Sequence, residues 1–169
     1  YYGNCTFDDD TTQGPAKFLL RLYMATLDPA YRAPLLKALR FILDAQYPNG
    51  AWPQRFPLKY EFAHDGLADY TSYYTFNDNI VNSIFDVLVT AWEQLGDERY
   101  REAALRGVDF VILSQGPEGQ SAWAEQYDMN LRPAWARTHE APAITVRPSM
   151  MNILLLERAF LMTGDRRYL

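Results

Sequence analysis

Apolar side chains recur at spacings of three and four along five stretches of the chain, the period of helices with one buried face. The first stretch, Pro15 to Leu27, puts Phe18, Leu19, Leu22, Tyr23 and Ala25 on one stripe. A turn at Leu27-Asp28-Pro29 leads into the second, Ala30 to Gln46, with Leu35, Leu36, Leu39, Ile42 and Leu43 in step. Pro34 is expected in the first turn of that helix, where a missing N–H costs nothing. The pattern then returns: Ile80, Ile84, Val87, Leu88 and Ala91, a turn at Gly96-Asp97, and Ala104, Leu105, Val108, Val111 and Ile112. A fifth helix is expected over Ser149 to Met162, followed by a turn at Gly164-Asp165. Short turns thus close one end of each pair, whereas the segments from Tyr47 to Tyr74 and from Gly116 to Arg147 are long and irregular. Loops of that length are usually functional, and both fall at the same end of the helical stack.

The helices carry an internal register. Thr6-Phe7-Asp8-Asp9-Asp10 returns sixty-nine residues later as Thr75-Phe76-Asn77-Asp78-Asn79. At the same offset Asp28 matches Asp97, Tyr31 matches Tyr100, and Gln46, Pro48 and Gly50 match Gln115, Pro117 and Gly119. Trp52 and Trp123 follow after a two-residue slip, and a third copy begins near Pro148. Self-similarity at a fixed period is the mark of a repeat architecture. The expected fold is all-α, an (α/α) toroid of repeated helical hairpins, with residues 1–169 forming one domain. It is incomplete, at about two and a half repeats, because the third unit supplies a single helix. That helix would show an apolar stripe unless something else covers it.

Composition narrows the picture only a little. No apolar run approaches the roughly 18 residues of a membrane span, so no membrane partner is expected. The net charge of −5 argues against nucleic acid. The same charge repels an anionic polymer unless cations or local arginines intervene. Aromatic residues make up 15% of the chain, which serves a core but also suits carbohydrate clefts. Cys5 stands alone, so no internal disulfide forms, and the chain opens at Tyr1-Tyr2 with no leader in view.

Candidate chemistry gathers in the duplicated acidic segment and the long loops. Asp and Asn ahead of a helix can simply cap its free N–H groups. Alternatively, one carboxylate from each copy, Asp8 and Asp78 foremost, binds a hard cation, for which oxygen ligands suit Ca²⁺. Trp52 and Trp123 either stack within the repeat or offer their faces to sugar rings. Arg137 forms a surface pair with Glu140, of little energetic value, or is held in the cleft as an active group. His64 and His139 lack a zinc-binding spacing, and neither a phosphate loop nor a Gly-x-Ser-x-Gly elbow is present.

Five motifs, in order, resemble the family 10 pectate lyases. They are Thr6-Phe7-Asp8-Asp9, Gln46 to Gln54 (Gln-Tyr-Pro-Asn-Gly-Ala-Trp-Pro-Gln), Thr75-Phe76-Asn77-Asp78, Trp123 to Asp128 (Trp-Ala-Glu-Gln-Tyr-Asp) and Ala136-Arg137-Thr138-His139-Glu140. The resemblance implies a toroid that cleaves polygalacturonate by β-elimination, with Ca²⁺ bridging aspartates and the uronate carboxylate. It assigns Asp8 and Asp78 to the metal and Arg137 to the catalytic base. Asp9 stands where the family often has Asn, and Asp9, Asn77, Trp52 and Trp123 are taken as substrate contacts. Secretion or a periplasmic location, and a monomer when complete, are further implications. The chain departs from the family at Ala143-Ile144-Thr145-Val146-Arg147, where small residues are common. Three rivals stay open: a hydrolase using Asp8 and Asp78 as acid and base, a polyuronate-binding pseudoenzyme, and a terpene-cyclase-like repeat.

Overall fold

The computed structural model describes residues 5–57 and 69–169. Among them are five α-helices: α1 (Gln13–Thr26), α2 (Pro29–Asp44), α3 (Ile80–Leu95), α4 (Glu98–Leu113) and α5 (Val146–Thr163). α1 packs on α2 and α3 packs on α4, while α3 also touches α1 and α5. Two hairpins and a single helix therefore form an arc, an incomplete (α/α) toroid. α3 sits at its centre, and nine of its residues from Ile80 to Ala91 are buried. One continuous core runs from Phe7 through α1 to α5 and ends at Tyr168.

The same turn chemistry is used three times. Asp28, Asp97 and Asp165 each accept a bond from the backbone N–H two residues on, at 2.9, 3.1 and 3.0 Å. The preceding helices end on left-handed residues, Leu27 (φ 52°), Gly96 (φ 72°) and Gly164 (φ 71°). Each cap supplies partners for backbone groups that a helix end leaves free.

Several boundaries differ from expectation. α2 starts at Pro29, capped by Asp28, so Pro34 lies inside the helix rather than in its first turn. Pro34 and Ala30 are both exposed, so water can reach the carbonyl that loses its helical partner. α5 begins at Val146, ahead of the expected Ser149. Among the described residues, four strands of two residues each had no counterpart in the sequence pattern, because so short a stretch shows no alternation. β1 (Cys5–Thr6) pairs antiparallel with β2 (Arg55–Phe56), and β3 (Tyr74–Thr75) pairs with β4 (Gln126–Tyr127). These are repeat equivalents, and each ties an acidic turn to the segment just after a tryptophan.

Those tryptophans correct a second expectation. Trp52 and Trp123 are each only 1% exposed. Their indole N–H groups donate to the carbonyls of Ile42 and Val111, at 2.9 and 2.8 Å. Rings sealed in this way are core and present no face to a sugar, so the stacking role within the repeat is the one observed.

Candidate active site

The two acidic turns share one backbone conformation. Phe7 and Phe76 lead in, then Asp9 (φ 49°, ψ 37°) and Asp78 (φ 50°, ψ 26°) adopt the left-handed region. Asp10 (φ 57°) and Asn79 (φ 60°) follow in the same region. Two consecutive left-handed residues other than glycine are costly, and Asp and Asn tolerate that conformation best. Strain of this kind persists where the surroundings enforce it, often at functional sites. Here the enforcement comes from short ladders and from side chains: Phe7 N–H donates to Gln54 O (2.9 Å) and Phe76 N–H to Glu125 O (2.8 Å). Gln13 Nε2 donates to Phe7 O at 2.9 Å, and Asp78 N–H donates to Asn77 Oδ1 at 2.9 Å.

The turns touch one another, and carboxylate oxygens of Asp8, Asp9 and Asp78 lie within 4.8 Å. Asp8 and Asp78 were expected to meet; Asp9, assigned to substrate alone, joins the same group. Crowding has an electrostatic consequence. Burial, a hydrogen bond with Asp8 and the charges of Asp8 and Asp9 push Asp78 up to about 7, against a smaller downward pull from Arg137. Asp10 is not part of the cluster. Its carboxylate accepts from Ser83 Oγ, which in turn receives Lys17 Nζ at 3.2 Å, joining α1 to α3.

Arg137 stands beside the carboxylates on the loop between α4 and α5. Its guanidinium bonds Glu140 Oε1, and its backbone N–H donates to Glu140 Oε2 at 3.2 Å. Glu140 also accepts from Asn77 Nδ2 at 3.3 Å, which fastens the arginine loop to the second acidic turn. Donating to the Glu140 carboxylate raises Arg137 further above its already high value. Burial pushes Glu140 up, but its bonds with Arg137 prevail and hold it below the usual carboxylate range. His139 lies 3.9 Å from Glu140 Oε1 and is exposed; His64 lies outside the described residues.

Tyr70 is a neighbour that no motif singles out among twelve tyrosines. It is buried, and burial raises its phenol while the charges of Arg137, Glu140 and Asp8 act on it. Beside Asp78 a narrow crevice is lined by the polar Asn77, Asp78, Asn79, Glu125 and Arg147 together with Phe76, Pro148 and Met151. A terpene-cyclase-like reading needs an apolar cavity, and the converging carboxylates of Asp8, Asp9 and Asp78 count against it.

Fold and site together define an open (α/α) toroid with an acidic cleft faced by an arginine. The sequence pattern of the pectic acid lyase family matches residues 2–166. Two solved structures of a family 10 polysaccharide lyase from Cellvibrio cellulosa have the same architecture. One is an aspartate-to-alanine mutant in complex with trigalacturonic acid, with a TM-score of 0.78, 24% identity, and 90% of this chain covered against 50% of that chain. The other has a TM-score of 0.77 and 25% identity, covering 90% of this chain and 49% of that chain. This chain therefore spans about half the length of those structures. No curated protein matches it. The chain belongs to the pectic acid lyase family.

Proposed function

We propose that this chain carries the catalytic cleft of a pectate lyase, which cleaves polygalacturonate by β-elimination with Arg137 as base and Ca²⁺ as cofactor. One observation carries the reading: three carboxylates from two repeats converge within 4.8 Å, with Arg137 near enough to act electrostatically on Asp78. The donor set fits a hard cation, since all three ligand groups are carboxylates and their mutual repulsion is what a cation relieves. Asp8, Asp9 and Asp78 would hold it. When bound, Ca²⁺ supplies positive charge that stabilises the enolate-like charge developing on the uronate. Asn77, oriented by Glu140, and Asp9 are proposed to touch the sugar. Secretion or a periplasmic location, a monomeric state when complete, and residues 1–169 as one domain belong to the same proposal.

Arg137 has to take the proton beside the uronate carboxylate, and Glu140 opposes this by favouring the charged guanidinium. The Glu140 contact must therefore loosen as substrate binds, and until then it fixes the direction in which Arg137 points. The decisive experiment follows unsaturated uronide by absorbance. Arg137→Ala lowers the rate by about 10²–10⁴-fold, the usual contribution of a general base, and leaves helical circular dichroism unchanged. Glu140→Gln moves the rising limb of the pH–rate profile to lower pH, because less negative charge then holds the guanidinium proton. Full activity in Arg137→Ala would remove the arginine from the mechanism.

A second reading, polyuronate binding without cleavage, is favoured by the same Arg137–Glu140 pairing, which keeps the proposed base charged. Binding of polygalacturonate with no unsaturated product would select it. Hydrolysis is disfavoured. Oxygens of Asp8 and Asp78 lie within 4.8 Å of one another, closer than the about 5–9.5 Å between paired carboxyls that flank a glycosidic bond.

A further inference from the structure

The first acidic turn is tied to α3 by polar contacts that the proposed chemistry does not use. Asp10 follows Asp9 in the left-handed stretch, yet its carboxylate stays out of the group formed by Asp8, Asp9 and Asp78. It accepts from Ser83 Oγ instead. Ser83 is 3% exposed and lies in the first turn of α3, the helix that begins just after Asp78 and Asn79. Its oxygen also accepts from Lys17 Nζ of α1, at 3.2 Å. Lys17 in turn lies 3.6 Å from Asp86 of α3, and Asp86 also pairs with Arg158 of α5. Side-chain contacts therefore run from the first acidic turn across α1, α3 and α5.

The repeat supplies an internal comparison. At the offset of sixty-nine, Asp10 corresponds to Asn79 and Ser83 to Asn152. Asn152 is 1% exposed, and neither its amide nor Asn79 Oδ1 has a hydrogen-bond partner. The second copy thus lacks the bond that the first copy makes, and its turn is fastened through Asn77 and Glu140.

We propose that Ser83 is a positioning residue for the cation site. By holding Asp10 it fixes the turn that carries Asp8 and Asp9 against the start of α3, next to Asp78. The inference deepens the lyase reading and rests on it for the identity of the cation. Asp8, Asp9 and Asp78 repel one another, so without a cation they stay together only if their backbones are held. A hydroxyl bonded to a carboxylate is a strong tie. Lys17 directs it, because an ammonium can only donate, which leaves the Ser83 proton for Asp10. Groups that orient metal ligands from behind cost about 10–100-fold in metal affinity when removed.

The test is calorimetric titration of Ca²⁺ into the substrate-free protein. Ser83→Ala is expected to weaken Ca²⁺ binding about 10–100-fold. Asp10→Gly should do the same, since it removes the acceptor while glycine is at ease in the left-handed region. The double variant loses no more than either single one, because both remove the same contact. Asp10→Asn keeps an oxygen for Ser83 and should stay near wild type; Asn79 holds the equivalent left-handed position in the second turn. Lowered melting temperatures in Ca²⁺-free Ser83→Ala and Asp10→Gly with unchanged Ca²⁺ affinity would make the bond merely structural and overturn the inference. Additive losses in the double variant would also overturn it, as would a loss in Asp10→Asn equal to that in Asp10→Gly, which would assign the effect to the charge of Asp10. Wild-type protein that takes up no Ca²⁺ would overturn it together with the cation site. Ser83-dependent Ca²⁺ binding by a protein that forms no unsaturated product would retract the lyase reading and leave this inference standing. Ca²⁺-dependent product formation with the same Ca²⁺ requirement in Ser83→Ala would do the reverse.

Discussion

Asp78 is the residue whose environment says most. Its carboxyl is raised to about 7 by burial, by the hydrogen bond with Asp8 and by the charges of Asp8 and Asp9. A raised value in the folded state means that the fold binds a proton more tightly than the unfolded chain does. The stability that this proton contributes is fully present below the unfolded value of 3.8 and is lost as pH rises through about 7. Cation-free protein should therefore lose melting temperature as pH rises across that window. Asp78→Asn, which mimics the protonated form, should escape part of the loss. The variant's advantage over wild type should grow with pH and shrink when Ca²⁺ is added; a pH-independent difference would show that Asp78 is not strained by its neighbours. The duplicated acidic motif made this site legible in the sequence, since Asp8 and Asp78 were chosen from it. Asp9 was legible too, since the register of sixty-nine equates it with Asp78, but the family resemblance assigned it to the substrate. Trp52 and Trp123 were legible as repeat positions, and their stacking within the repeat was the stronger reading of the Trp52 segment, but their assignment to the substrate came from the resemblance and not from burial.

At the level of elements, three repeated turns offer a controlled comparison. Gly96 and Gly164 end α3 and α5 in the left-handed region at no steric cost, but Leu27 ends α1 there at φ 52°. Leu27 is 66% exposed, so little burial is lost by shortening it. Leu27→Gly is expected to stabilise the protein by about 1 kcal/mol, the scale of the left-handed penalty, as measured by chemical denaturation. A loss of stability would mean that Leu27 packs usefully despite its exposure. The helices themselves were readable because their apolar stripes repeat every three or four residues. The Asp caps were readable through the shared register of Asp28 and Asp97. The two-residue strands were invisible for want of length, yet they fix both acidic turns.

Across the whole molecule, register does the organising. An offset of sixty-nine residues puts equivalent turns at the same end of successive hairpins, and packing of α1, α3 and α5 side by side brings those turns together. The cleft thus follows from the fold's repetition, not from any one loop. α5 keeps Val146, Met150, Ile153, Leu154 and Leu161 exposed, the apolar stripe expected for the single helix of the third unit. Among the described residues no helix is long and apolar enough to cross a membrane. Ca²⁺-dependent β-elimination at the proposed Asp8–Asp9–Asp78 site is tested on polygalacturonate itself. Polygalacturonate is incubated with the protein while absorbance of the unsaturated product is followed across a Ca²⁺ titration, for wild type and for Asp78→Ala. Product should appear with Ca²⁺, vanish with a chelator, and need more Ca²⁺ in Asp78→Ala. Unsaturated product formed at the same rate in chelator, or new reducing ends without any unsaturated product, would contradict it.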